Sequence, residues 1–266
     1  MIPDYHIHTY LCHHAEGKPQ DYTQVALKKG ITEICIADHA PAPDGYDPKH
    51  RMSIEEFDYY TKMVTELKNT NHSITVLYGI EADYYDGCEQ FLREWLPRQN
   101  FDLIIGSVHY IDTWGFDSTE ARAVWETVNV PETWARYFAI LQKLAATGLY
   151  DIVGHIDIPK KFNYRVDEKW LEINVTPVLE QIASSNMAIE INTSGLRKPV
   201  HEIYPSLYLL KMCKQYDIPI CFGSDAHAPT EVGWAFDEAV TLARTAGYTH
   251  YVRFKQREKI LTPLPL

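Results

Sequence analysis

The chain of 266 residues has few of the features that mark exported, membrane-spanning or disulfide-rich proteins. No stretch approaches the roughly 18 apolar residues that a membrane-spanning helix needs. The amino terminus shows neither a basic start nor the apolar run of an export signal. The five cysteines are odd in number and form no C-x-x-C pair, which favours buried thiols in a reducing compartment. We therefore expect a cytoplasmic protein that does not act at a membrane.

Basic residues are also scarce relative to acidic ones. The chain has 25 Lys and Arg against 36 Asp and Glu, a formal net charge of −11. Such a charge repels nucleic acid at long range unless a local positive field overrides it. Internal repeats and low-complexity tracts are absent, whereas 45% hydrophobic residues suffice for a packed core. We expect a globular protein without a nucleic-acid partner.

Seven short apolar runs alternate along the chain with amphipathic segments. The predicted strands are 2–7, 33–37, 75–80, 101–105, 151–153, 187–191 and 218–222, and the predicted helices are 21–29, 54–69, 88–98, 131–147, 175–184, 205–215 and 234–246. Alternation of this kind predicts parallel strands joined by helices, and the even composition favours one α/β barrel over residues 1–266. Segments 41–53 and 112–130 are predicted to form loops or lids over one end of the barrel.

Metal-binding residue types recur at the ends of these predicted strands. Seven of the twelve histidines and two acids lie there: His6, His8, His14, His39, Glu81, His109, His155, Asp225 and His227. His6 and His8, two residues apart on a strand, project from one face. Because the carboxyl ends of barrel strands converge on one rim, these groups are expected to form a single cluster. Nine ligands suffice for two or three divalent ions, with Glu81 as the candidate bridge.

The other histidines and two flanking acids have alternative interpretations. We expect His13, His50, His72, His201 and His250 to be surface or loop residues, although which of the adjacent pair His13 and His14 coordinates stays open. Asp4 and Asp38 flank ligand histidines, where each either accepts a ring N–H and fixes the tautomer or serves as a turn residue. The general alternative to a metal cluster is a structural polar network.

The ordered set of nine metal-binding residues resembles the polymerase and histidinol phosphatase (PHP) family across nearly the whole chain. That resemblance implies a distorted seven-stranded (β/α) barrel with a trinuclear centre at the carboxyl ends of the strands. By resemblance, the first ion takes His6, His8, Glu81 and Asp225, the second Glu81, His109 and His155, and the third His14, His39 and His227. The stretch Cys12-His13-His14, the segment 190–198 (EINTSGLRK) and Tyr204-Pro205-Ser206 narrow the resemblance to histidinol-phosphate phosphatases.

The family resemblance implies hydrolysis of L-histidinol phosphate to L-histidinol and phosphate in histidine biosynthesis. A hydroxide bridging two of three divalent ions, Zn, Fe or Mn, would attack phosphorus, with Glu81, Asp225 and His227 as the catalytic positions. Arg197, Lys160 and Lys161 are the predicted phosphate-binding cations. For the leaving alcohol the loops offer Asp44, Asp47, Asp112, Asp117, Tyr46, Trp114 and Phe116, among which the sequence does not select.

Three other activities fit part of the pattern. A PHP phosphoesterase of other specificity would act on another small phosphomonoester or on a nucleotide or DNA 3′ end. Amidohydrolase barrels also begin with H-x-H, but they commonly use a carbamylated lysine after the fourth strand, where this chain has residues 106–109 (GSVH). A metal-dependent binding protein without catalytic activity is the third alternative.

Overall fold

The computed structural model describes residues 2–71 and 73–265, so the expectation for His72 lies outside the described residues. Seven parallel strands form one sheet in chain order: β1 (Asp4–Ile7), β2 (Glu33–Ile36), β3 (Thr75–Asp83), β4 (Leu103–Ser107), β5 (Ile152–Val153), β6 (Ala188–Asn192) and β7 (Ile220–Gly223). Nearly every residue of these strands is buried, as expected where helices cover the outer face of a parallel sheet and side chains fill the inner one. All seven predicted strands are confirmed.

The sheet curves into a nearly closed barrel. Ile7 and Ala226 form a parallel bridge beyond the end of β7. The His8 N–H donates to the Ala226 carbonyl at 2.9 Å, and the Ala226 N–H donates to the His6 carbonyl at 3.1 Å. The first and last strands therefore meet, which confirms the barrel and brings the carboxyl ends of all seven strands to one rim. The assignment of residues 1–266 to one domain stays a prediction.

Within the described residues, six α-helices connect the seven strands and a seventh follows β7: α1 (Pro19–Lys28), α2 (Phe57–Thr70), α3 (Glu89–Trp95), α4 (Val130–Ala146), α5 (Glu168–Ser184), α6 (Leu207–Gln215) and α7 (Phe236–Thr245). Helix α5 begins seven residues before the predicted start at 175. Asp167 caps it by accepting the Trp170 N–H at 2.9 Å, and Pro177 lies inside it. None of the helices within the described residues combines the length and apolarity needed to cross a bilayer.

A carboxyl-terminal hairpin that the sequence patterns did not predict covers the amino ends of the strands. Its strands, His250–Lys255 and Glu258–Pro263, pair antiparallel. Val252 and Phe254 pack into the inner core of the barrel with Tyr5. Arg257 Nε donates to Asp151 Oδ2 at 2.9 Å, just before β5. The hairpin therefore closes the end of the barrel opposite the carboxyl rim.

The two predicted loop segments both reach the carboxyl rim. The first carries Asp47 and His50 to a cavity above the barrel, and the second brings residues 117–120 to the same cavity. The second segment is more ordered than predicted, because it contributes to a short hairpin, Tyr110–Ile111 with Trp114–Gly115, and forms a 3₁₀ turn, Arg122–Glu126. We call residues 110–126 the lid.

Candidate metal centre

Glu81, at the carboxyl end of β3, lies at the centre of the histidine cluster. Its Oε2 atom is 3.2 Å from His6 Nε2, 3.5 Å from His8 Nε2 and 3.0 Å from His39 Nδ1. Its Oε1 atom is 3.2 Å from His155 Nε2. The two oxygens of one buried carboxylate thus face different groups of histidines, which is the geometry that a carboxylate bridging two cations requires.

The remaining predicted ligands adjoin this core. His109 Nε2 lies 3.8 Å from Glu81 Oε1 and 3.3 Å from His155 Nε2. Asp225 Oδ1 is 3.3 Å from His8 Nε2. The rings of His8 and His227 stack with centroids 4.1 Å apart, and those of His14 and His227 with centroids 4.5 Å apart. The structure therefore brings all nine predicted ligands together.

Several buried atoms in this cluster have no hydrogen-bond partner among residues 2–71 and 73–265. They are His6 Nε2, His8 Nε2, His39 Nδ1, Glu81 Oε2 and His227 Nε2. The nitrogens of His6, His8 and His39 lie within 3.5 Å of Glu81 Oε2, but the angles do not suit a hydrogen bond. Burying an unpaired polar atom costs about 1–3 kcal/mol, and divalent cations remove that cost by accepting the lone pairs. The donor set of imidazoles and carboxylates therefore fits divalent metals such as Zn, Fe or Mn.

The ionisation of Glu81, Asp225 and His14 also suits cation binding, whereas carboxylates outweigh burial and raise the pKa of His6, His8 and His109, whose protons a bound cation would displace. Burial by itself raises the pKa of Glu81, but His6 and His39 outweigh it and hold the pKa well below its usual range. Asp225 is likewise held well below its usual pKa by His6 and His8 against burial. Burial, with His39 and His8 nearby, lowers the pKa of His14 to about 4. Both carboxylates are thus ionised and His14 is neutral at pH 7, the forms that coordinate metal.

Comparison with known proteins agrees with this geometry. Residues 4–194 match the family model described as PHP domain, and residues 210–241 match the one described as PHP-associated. The chain belongs to the PHP family.

The PHP chain is similar over most of its length to curated relatives. It is 37% identical to a protein of Deinococcus radiodurans named "Probable histidinol-phosphatase", with 96% of this chain and 97% of the relative covered. It is 30% identical to the histidinol-phosphatase of Bacillus subtilis, with 88% of this chain and 96% of the relative covered.

The fold is also similar to a solved structure. A crystal structure of histidinol phosphate phosphatase from Lactococcus lactis subsp. lactis, complexed with zinc, L-histidinol and phosphate, aligns with a TM-score of 0.81 at 23% identity. The alignment covers 97% of this chain and 98% of that chain. The predicted family and barrel fold are therefore confirmed.

Two acids that the sequence interpretation missed orient the histidines of the PHP centre. Glu190 Oε1 lies 2.7 Å from His6 Nδ1, and its Oε2 accepts the His155 backbone N–H at 3.0 Å. Asp83 Oδ1 lies 2.9 Å from His109 Nδ1. Glu190 interrupts the apolar strand β6 and Asp83 is the last residue of β3, both buried positions where a charged group is costly unless it is paired. That cost is the signal by which the sequence could have revealed them.

The two predicted orienting acids have different outcomes. Asp38 Oδ1 lies 3.4 Å from His8 Nδ1 and accepts the His39 backbone N–H at 2.8 Å, so it does border the centre. For Asp4 the structure favours the alternative interpretation, a residue that binds backbone N–H groups. Its carboxylate accepts the Ser224 N–H at 2.9 Å and the Gly233 N–H at 2.8 Å, which ties β1 to the segment that carries Asp225.

A cavity of about 400 Å³ opens above the centre, and two lysines line it. One is the predicted Lys161, whose Nζ lies 3.0 Å from Asp117 Oδ2. The other, Lys198, was not predicted. Burial lowers the pKa of Lys198, and the neighbouring charge of Lys161 adds to the effect. The cavity thus has a cationic wall formed by the loops that follow β5 and β6.

Arg197 and Lys160 lie outside this cavity, contrary to the prediction. Arg197 Nη2 donates to the carbonyls of Ser224 at 2.8 Å and Asp225 at 3.1 Å, so it holds the loop that carries Asp225. Lys160 is buried and donates to the Ile203 carbonyl at 2.8 Å. The reason lies in the 3₁₀ turns that follow the strands. Successive residues there point about 120° apart, so the direction of each side chain depends on where the turn begins.

The histidines outside the predicted ligand set fall into two groups, those that line the cavity and those that are exposed elsewhere. His50 lines the cavity rather than an unrelated surface, with Nδ1 2.8 Å from Asp47 Oδ1 and its ring 5.3 Å edge-on from that of His14. His13 and His14 are both exposed, but of the two only His14 lines the cavity, so His14 is the metal-binding candidate of that pair. His201 and His250 are exposed, as expected.

The structure selects among the side chains proposed for the leaving alcohol. Asp47 and Asp117 line the cavity, together with the unpredicted Tyr110 and Glu120. The other candidates are engaged elsewhere: Asp44 with Tyr85, Asp112 with Arg136, and Tyr46 with Asp83, while Trp114 and Phe116 pack around Trp125.

Proposed function

We propose that this chain is a metal-dependent phosphomonoesterase that hydrolyses L-histidinol phosphate to L-histidinol and inorganic phosphate, a step of histidine biosynthesis. The observation that carries the proposal is similarity along nearly the whole chain to histidinol-phosphatases, at 37% and 30% identity. A cavity that combines metal-binding groups with lysines supports it. So does the Lactococcus relative, whose crystal structure contains zinc, L-histidinol and phosphate. The five cysteines of this chain are buried free thiols, which suit a reducing compartment. The proposal therefore places the enzyme in the cytoplasm.

The proposal assigns three divalent ions, Zn, Fe or Mn, to the nine clustered ligands. When bound, such ions supply Lewis acidity and lower the pKa of water enough to provide a nucleophile at neutral pH. Glu81, Asp225 and His227, predicted as the catalytic positions, contribute by holding the ions in fixed geometry. Glu190 and Asp83 contribute by keeping the Nδ1 proton on His6 and His109, so that the Nε2 lone pair of each ring faces the centre.

The cationic wall accounts for phosphate binding in a protein of net charge −11. Burial lowers the pKa of Lys198, and repulsion by the neighbouring charge of Lys161 adds to the effect. A phosphate dianion between them would remove that repulsion and favour the charged form of both amines. Ser194 lines the same wall and offers a hydroxyl donor. These groups orient the ester with phosphorus towards the metal-binding residues.

The proposal is tested by measuring phosphate release from L-histidinol phosphate, other small phosphomonoesters and single-stranded DNA, with metal content determined in the same sample. We expect turnover of L-histidinol phosphate to exceed that of the other substrates. Glu81→Gln should abolish it, because an amide cannot bridge two cations. Glu66→Gln, which changes an exposed glutamate on α2, is the matched control and should be fully active.

Each result bears on a different part of the proposal. Equal turnover of all small esters would contradict the substrate assignment. Preference for DNA would favour the nuclease members of the family. An active Glu81→Gln protein would contradict the bridging role of Glu81, and a metal-loaded protein that releases no phosphate from any substrate would favour a binding function.

A further inference from the structure

We propose that Glu120, on the lid, recognises the cationic amine of the substrate and so determines specificity for amino-alkyl phosphates. The inference rests on the proposed phosphatase function and deepens it, because the sequence patterns did not select a residue for this role. Glu120 is the only lid carboxylate, within the part of the chain that the structure describes, that both lines the cavity and lacks a partner.

Charges of opposite sign reach the cavity on different loops. Lys161 and Lys198 belong to the loops that follow β5 and β6, whereas Asp47, Asp117 and Glu120 belong to those that follow β2 and β4. A substrate with a phosphate at one end and an ammonium at the other has matching polarity. With its phosphate at the metal-binding residues and lysines, its cation is directed towards the carboxylates.

Two of the three carboxylates already have partners. Asp117 Oδ2 lies 3.0 Å from Lys161 Nζ. Asp47 Oδ1 lies 2.8 Å from His50 Nδ1, and its Oδ2 lies 3.6 Å from Arg51 Nη2. Among residues 2–71 and 73–265, no hydrogen bond or ion pair engages the Glu120 side chain. It can accept a hydrogen bond from an ammonium group without breaking an existing pair.

The backbone that carries Glu120 is held in place, although the side chain is exposed. The Glu120 N–H donates to Ser118 Oγ at 3.2 Å, and the Ala121 N–H donates to the Ser118 carbonyl at 3.2 Å. The Trp114 indole donates to the Ala121 carbonyl at 3.3 Å. These bonds anchor the turn on both sides of Glu120, so the carboxylate is presented to the cavity from an ordered segment.

The test compares two substrates that differ only in the amine: L-histidinol phosphate and 3-(imidazol-4-yl)propyl phosphate. For Glu120→Gln we expect kcat/KM to fall about tenfold on the first substrate, mainly through a higher KM, and to stay within about twofold on the second. High salt should reduce the difference, because an exposed ion pair is screened. Asp112→Asn, a lid carboxylate that pairs with Arg136 away from the cavity, is the matched control and should behave as wild type.

The outcomes separate this inference from the proposed function. Equal losses on both substrates, or no loss on either, would overturn the role of Glu120 while leaving the phosphatase proposal intact. A wild-type enzyme that hydrolyses both esters equally well would overturn the inference, because no residue of the enzyme would then recognise the amine. A wild-type protein that hydrolyses neither ester would contradict the proposed function itself.

Discussion

Replacing Glu190 by glutamine should weaken metal binding although Glu190 is not itself one of the predicted metal ligands. Glu190 is 1% exposed and accepts from three donors: the His6 ring at 2.7 Å, the His155 backbone N–H at 3.0 Å and the Asn192 amide at 3.0 Å. Glutamine has the same shape, but it offers one acceptor oxygen and one donor NH₂. The three donors need both oxygens of Glu190 as acceptors. In either orientation of the glutamine amide, its NH₂ group would therefore face a donor.

The two orientations of the amide have different costs. If the NH₂ faces His6, Nδ1 must give up its proton, the proton moves to Nε2, and the lone pair that would bind a cation is lost. If the NH₂ faces His155, a buried backbone N–H loses its acceptor at about 1–3 kcal/mol. Loss of a group that orients a metal-binding histidine typically lowers metal affinity about 10- to 100-fold, equal to about 1.4–2.8 kcal/mol. We expect an effect in that range.

The assay is competition for Zn²⁺ between the apoprotein and a chelator of known affinity, combined with denaturant unfolding. Glu33→Gln is the matched control, because Glu33 is also buried and charge-paired but lies at the amino end of the barrel, where it accepts from Arg253 Nε at 3.2 Å. Both variants should lose stability, and Glu190→Gln alone should lose zinc affinity. Unchanged zinc affinity in Glu190→Gln, or an equal loss in both variants, would refute the reasoning.

Three further predictions concern stability, metal removal and thiol chemistry. Phe254→Ala should lower the free energy of unfolding in urea by about 3–5 kcal/mol, because Phe254 fills the barrel core. Turnover per folded molecule should stay unchanged. A loss of turnover would contradict the remoteness of Phe254 from the metal centre. Removing divalent ions with a chelator should abolish phosphate release and lower the melting temperature in calorimetry, because buried ring nitrogens lose their partner; an unchanged melting temperature would count against a metal-filled centre. Burial raises the pKa of the Cys88 thiol to about 11 and shields it from reagents. At pH 8 its alkylation, followed by mass spectrometry, should therefore be more than about tenfold slower in the native than in the urea-unfolded protein. Equal rates would contradict that burial.

The sequence patterns predicted the strands and the clustering of the nine candidate metal ligands better than the side chains that line the cavity. The meeting of His6, His8 and Asp225 was predictable because the alternation of strands with helices requires their strand ends to meet. Lys160 and Lys161 show where such reasoning ends, since one is buried beneath the cavity wall and the other faces the cavity. They are neighbours in a 3₁₀ turn, and no periodic pattern indicates which of them points inward.

Contacts between distant segments account for the other differences. Arg197 follows a motif that suggested phosphate binding, but its guanidinium donates hydrogen bonds to the carbonyls of Ser224 and Asp225 instead. His50 was expected at the surface, yet the loop after β2 folds back over the rim and brings it beside His14. No local sequence pattern predicts either contact, because Arg197 and His50 each meet residues from a distant part of the chain.

The amino-acid sequence by itself determined the order of strands and helices, the family, and the nine groups available to metal ions, because hydrophobic periodicity and residue chemistry are local properties. Tertiary structure decided that Glu190 and Asp83 contact histidine rings, that Arg197 and Lys160 do not line the cavity, and that the Glu120 carboxylate is exposed there. Those outcomes depend on contacts between side chains that are distant in sequence. Such contacts form only when the barrel closes and the loops pack, so no single segment of the chain determines them.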